Sequence, residues 1–130
     1  MSNAYFKVPE PINEPVLTYA PGTPERVELK KKLAEMESAE IEIPIIIGGK
    51  EIKSGNTVDI TEPHNHEIKL GFYHKAGEKE VNMAIEAALE ARKTWADMPW
   101  EQRATIFLKM ADLLAGPWRA TLNAATMLGQ

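Results

Sequence analysis

The sequence predicts an α+β segment: an extended arm, a small antiparallel β-ribbon and three to four helices. Three observations carry this reading. Pro9, Pro11, Pro15 and Pro21 crowd the first 22 residues, Gly48-Gly49 separates two β-prone stretches, and after Gly77 the apolar residues pass from alternating to helical spacing.

Residues 1–22 form the arm. Its prolines forbid a helix and remove ladder donors, so it runs extended and must lie on a body, its own or a partner's. Ser2-Asn3-Ala4 reads equally as a cloning remnant or a native start. The remainder, residues 23–130, is the second unit. A helix opens at Thr23 as N-cap, with Pro24 at the first helical position and Glu25 at the positive end of the dipole. Val27, Leu29, Leu33 and Met36 give it an incomplete apolar stripe, so it is half exposed and fades near Ser38–Glu40. Ile41-Glu42-Ile43 alternates, Pro44 interrupts, and Ile45-Ile46-Ile47 turns at Gly48-Gly49 into Lys50-Glu51-Ile52. Pro44 places that hairpin at a sheet edge or in a separate ribbon. Residues 57–61 form another strand, 62–67 a turn, and Ile68, Leu70 and Phe72 mark the returning strand.

From Glu78 to Ala96, Val81, Ile85, Ala88, Leu89 and Trp95 share one helical face. A second helix covers about 101–115 with Phe107, Met110, Ala111 and Leu114 on its face. Gly116 ends it, and Pro117 opens a third helix to Leu128 that shows Trp118, Leu122 and Ala125. These faces expose more apolar surface than a small ribbon can cover, so they need partners.

The composition is that of an ordinary globular chain: 44% hydrophobic, 26% charged, net charge −4. That balance gives no footprint for nucleic acid, and the Lys30-Lys31-Lys32 run reads as a solvated helix face. There is no cysteine, which removes disulfides, thiolate metal sites and a cysteine nucleophile together. No apolar run, Ile45–Ile47 included, exceeds three residues, far too short to span a bilayer, and the first residues lack the pattern of a signal peptide.

Each candidate for chemistry has a plainer explanation. His64 and His66 share the turn and His74 sits at a strand end, but two histidines leave a metal short of ligands, so a polar surface turn explains them better. Gly48-Gly49-Lys50 lies between strands and lacks the frame of a phosphate loop, and no GxGxxG occurs. Trp95, Trp100 and Trp118 near helix ends serve as packing anchors rather than a ligand cage. Glu86 and Glu90 lie on a polar side, with no base or nucleophile beside them. The residues alone therefore give no catalytic, cofactor-binding or metal site.

A resemblance adds what the residues alone do not. Asn13-Glu14-Pro15-Val16-Leu17, Gly22-Thr23-Pro24-Glu25-Arg26 and residues 43–51 resemble the start of the 1-pyrroline-5-carboxylate (glutamate semialdehyde) dehydrogenases, a branch of the aldehyde dehydrogenase superfamily. So do residues 84–95, 103–109 and 111–117, and the closing Thr126-Met127-Leu128-Gly129-Gln130. One departure is Pro63-His64-Asn65-His66, where many aldehyde dehydrogenases show an Asn-Pro-x-x-Gly-like turn. The resemblance implies a segment of the α/β aldehyde dehydrogenase fold and an NAD-dependent oxidation of L-glutamate 5-semialdehyde to L-glutamate in proline catabolism. It also implies a cysteine nucleophile, a glutamate that activates water, and an oxyanion held by an asparagine and a backbone N–H. None of these groups maps onto this segment, so the chain alone is expected to be inactive, with the rest of the dehydrogenase as its partner. A homo-oligomer is expected, with the arm running along a neighbouring subunit, in the cytoplasm (or the mitochondrial matrix of a eukaryote). Two alternatives stay open: a non-enzymatic assembly module, and an aldehyde dehydrogenase of other specificity.

Overall fold

In the computed structural model, residues 5–130 are described; the Ser2-Asn3-Ala4 tripeptide lies outside the described residues. Residues 5–22 of the arm run without helix or strand. It leads into α1 (Pro24–Glu37), β1 (Ile41–Ile43), β2 (Ile45–Ile47), β3 (Lys50–Ile52), β4 (Thr57–Glu62), β5 (Asn65–His74), α2 (Glu78–Asp97), α3 (Trp100–Ala115) and α4 (Arg119–Gly129).

The two hairpins follow local chemistry. β2 and β3 pair antiparallel as a separate two-stranded ribbon, one of the two placements Pro44 allows, with Ile47 opposite Lys50. Gly48 and Gly49 both take positive φ (56° and 76°), the combination a tight two-residue hairpin requires. β4 and β5 form the second antiparallel pair. Their turn is narrower than the expected 62–67: Glu62 already pairs with Asn65, leaving Pro63-His64 as the reversal. Register shifts around Thr61 absorb the mismatch, which alternation alone does not announce.

β1 adds a feature the sequence did not signal. It joins the same sheet in parallel with β5, giving the order β1-β5-β4, with Ile41 opposite Gly71. The two strands approach closely because Gly71 has no side chain. A Cβ there would stand 2.1 Å from the Ile41 carbonyl oxygen.

α1 packs on α4, and Ala124 and Leu128 are the two buried residues of that helix. Thr23 occupies the N-cap position of α1, but its hydroxyl donates to the Ala20 carbonyl (2.9 Å) instead of capping the helix. At α2 the carboxylate of Glu80 reaches back to the Gly77 N–H at 2.8 Å and caps the first turn. Pro117 does not open the last helix; it lies in the turn, and α4 starts at Arg119.

The helix faces show where the core ends. Ile47, Leu70, Ala124 and Leu128 are the buried apolar residues among those described. α2 meets the ribbon through Ala87, whose Cβ comes within 3.7 Å of a Cβ built at Gly48, and its richer face of Val81, Ile85 and Leu89 stays open. α3 leaves Phe107, Met110 and Leu114 exposed, and Trp118 just before α4 and Leu122 within it are exposed too. The accessible surface is 10496 Å² for a mass of 14.5 kDa. A compact monomer of that mass shows about 6,900 Å², so roughly 3,600 Å² is in excess.

Candidate functional site

Three polar constellations emerge once the elements are placed. The first ties the ribbon to the sheet. His74, buried at the end of β5, accepts a hydrogen bond at Nδ1 from the Gly55 N–H (3.2 Å), so its own proton sits on Nε2. Nε2 donates to Glu42 Oε1 at 2.8 Å, and Glu42 Oε2 takes Lys53 Nζ at 2.5 Å. The Lys53 ammonium, and then His74, hold the Glu42 carboxyl below its ordinary value, while Glu42 raises Lys53. Both ring nitrogens of His74 are engaged, so the imidazole knits the 53–56 loop to β1 and β5 and has no site left for proton transfer.

The second constellation is the β4–β5 turn. Glu62 is buried, its Oε2 faces His64 Nε2 at 3.2 Å, and its Oε1 is enclosed with no donor among the described residues. His66 is exposed on β5. The His-x-His pair is thus divided between turn and strand, and no group of three His, Cys, Asp or Glu among the described residues could hold a metal ion.

The third lies under the arm. Arg119 forms an ion pair with Glu14, and Asn123 Nδ2 donates to the Tyr19 hydroxyl at 3.0 Å. A cleft of about 260 Å³ follows the arm here, between residues 14–19 and the α4 pair Arg119 and Asn123. A larger, mainly apolar one of about 460 Å³ lies between Phe6 and the start of α3.

The remaining candidates fall apart in space. Trp95, Trp100 and Trp118 are each exposed and build no cage; Trp100 meets only Phe6 as an aromatic partner among the described residues. Glu86 is exposed, and Glu90 is held by Lys93 at 2.5 Å. Gly48-Gly49-Lys50 forms the ribbon turn and no phosphate cradle. A dinucleotide needs a free helix N-terminus for its pyrophosphate. α2 offers Glu78 and the capping Glu80 there, and α3 begins after Pro99, which has no N–H, with Glu101 in its first turn. These residues do not fit a dinucleotide phosphate. No described helix is long and apolar enough to cross a membrane.

The aldehyde dehydrogenase family model matches residues 51–126, and the chain belongs to that family. Within it, the chain is 48% identical over 128 residues to the delta-1-pyrroline-5-carboxylate dehydrogenase of Agaricus bisporus, covering 98% of this chain and 23% of that protein. It is 43% identical over 118 residues to the mitochondrial delta-1-pyrroline-5-carboxylate dehydrogenase of Homo sapiens, covering 91% and 21%. The NAD-bound crystal structure of the Mycobacterium tuberculosis pyrroline-5-carboxylate dehydrogenase superposes with a TM-score of 0.94 at 45% identity, over 99% of this chain and 24% of that one. The chain therefore spans about a quarter of the length of the curated relatives it matches.

Proposed function

We propose that this chain is the N-terminal scaffold of an NAD-dependent dehydrogenase that oxidises L-glutamate 5-semialdehyde, the open form of 1-pyrroline-5-carboxylate, to L-glutamate in proline catabolism. The observation that supports it most is identity across 98% of the chain, arm included, with a relative of that activity, where the family model alone covers only 51–126. The match to that relative extends over the arm and the first helix, which the family model leaves out, and this favours the same substrate over another aldehyde.

The segment's own part is to pack. Its open faces on α2, α3 and α4 are covered by the rest of the enzyme, and the excess accessible surface is the area available for that contact. Nucleophile, general base and NAD contacts lie in the portion of the family fold that this chain does not include. NAD bound there would supply the hydride acceptor, and on this reading no residue of the segment is assigned to hold it or to move a proton. A homo-oligomer in the cytoplasm, or in the mitochondrial matrix of a eukaryotic source, completes the proposal. Several eukaryotic relatives carry "mitochondrial" in their names.

The test is a specificity profile of the chain joined to its continuation. A kcat/KM for glutamate semialdehyde well above that for propanal or benzaldehyde, measured by NADH formation, supports the assignment. Equal or better turnover of the simple aldehydes would return the chain to the family at large.

A further inference from the structure

The arm and α3 have matching lengths. Phe6 stands edge-on to Trp100, the first residue of α3, with ring centroids 6.4 Å apart and planes at 79°. Residues 6–9 then line a narrow cavity with Trp100, Glu101, Ala104, Thr105 and Leu108, so the arm follows the helix in the same direction. At the far end Glu14 pairs with Arg119, just past the turn that closes α3. From Phe6 to Glu14 a proline-stiffened chain covers about 25 Å at ~3.1 Å per residue. The 16 residues of α3 cover about 24 Å at ~1.5 Å each. The two spans are of equal length, and the arm is held beside the first half of α3 and again just past its end.

The far fastening is the more elaborate. Tyr19 is the one non-glycine residue among those described with positive φ (52°), a conformation that persists only where its surroundings enforce it. They do so from three sides. The Tyr19 N–H donates to Glu25 Oε1 (3.3 Å), its carbonyl accepts from Arg26 Nη1 (3.0 Å), and its hydroxyl accepts from Asn123 (3.0 Å). The elbow is thus tied to α1 and α4 together, which directs residues 6–14 back along α3. That helix has little else to hold it, since it buries no residue of its own.

We propose that the arm is a strap that fixes the direction of α3, with the Glu14–Arg119 pair as its clasp and Tyr19 as its pivot. When the clasp opens, α3 is free to swing about the turn at 116–118, carrying its open face of Phe107, Met110 and Leu114 with it. This inference rests on the contacts of the segment and does not depend on the substrate proposed above.

Amide hydrogen exchange of α3 peptides in the full chain tests it, with α2 as internal reference because none of the arm contacts named above falls on α2. Glu14→Arg and Arg119→Glu, each alone, put like charges at the clasp and are expected to raise α3 exchange roughly five-fold, leaving α2 unchanged. The double variant restores the pair in reverse and returns α3 close to the parent rate. Phe6→Ala, which opens the other end, raises α3 exchange without rescue by the charge swap. Unchanged α3 exchange in the single variants overturns the strap. So does a double variant no better than the singles, or an equal rise in α2, which would mean general loosening of the segment.

Discussion

Gly71→Ala is the sharpest perturbation the fold offers. Gly71 is in the middle strand of the sheet, opposite Ile41 on one side and Ile60 on the other. A methyl group there would lie 2.1 Å from the Ile41 carbonyl oxygen and 2.8 Å from both its nitrogen and its Cγ1. Two of those three atoms are backbone, and a Cβ has no rotamer with which to escape. The φ of 153° adds strain for any L side chain. Relief requires β1 to retreat by more than an ångström, which breaks the three-residue parallel ladder. About two backbone hydrogen bonds at ~1 kcal/mol each, with ~1–2 kcal/mol of backbone strain, give a loss of about 3–4 kcal/mol. Against the 5–15 kcal/mol typical of a domain, that is a large share and lowers the melting temperature by roughly 10 °C. Gly49→Ala is the control: its φ is 76° with no atom within 4 Å, so only ~1 kcal/mol of conformational strain remains. Thermal melts of both variants, with exchange of the β1 amides, decide the matter. A Gly71→Ala chain that melts within about 2 °C of the parent with β1 still protected would mean that the sheet accommodates the methyl group without moving β1.

Leu128→Ala removes one of the few buried side chains and costs about 2–4 kcal/mol by urea denaturation. Phe107→Ala, at 69% exposure, changes the stability of this segment by less than about 0.5 kcal/mol, yet destabilises the complete enzyme by ~3 kcal/mol if its face is covered there; equal small effects in both would show that the face stays open. Glu42 has a folded carboxyl held below its ordinary value by Lys53 and then His74, so its contribution is fully present above the unfolded value of about 4.3 and is lost as pH falls through the lower folded one. Glu42→Gln accordingly flattens the acid limb of a stability-versus-pH curve below about pH 4.3 and leaves its shape unchanged from pH 6 to 8; a parallel displacement at every pH would contradict this.

Much of the architecture was legible because its causes are local. Gly48-Gly49 between β-prone stretches specified the ribbon turn, Pro44 separated the ribbon from the sheet, and the change of period after Gly77 marked α2. The β1–β5 pairing was not legible, since a three-residue strand carries no mark of a partner thirty residues away. The helix faces are more instructive. Periodicity singled out Val81, Ile85 and Leu89 on α2 and Phe107, Met110 and Leu114 on α3, and these are the side chains left open. A hydrophobic face reports that a partner is needed, not that the partner lies in the same segment. The contacts in hand use the small side chains of Ala87 and Ala124 instead. No active site was readable, and the tightest polar groupings prove to be fastenings: His74 with Glu42, and Tyr19 with Asn123, which is 104 residues away in sequence.

On the function proposed above, these 130 residues scaffold a glutamate semialdehyde dehydrogenase without containing its chemistry. NADH formation with glutamate semialdehyde measures this directly, on the purified chain alone and on the same chain joined to its continuation. No turnover is expected from the chain alone, and ready turnover from the joined protein. Turnover by the chain alone, or none from a folded, NAD-binding joined protein, would contradict it.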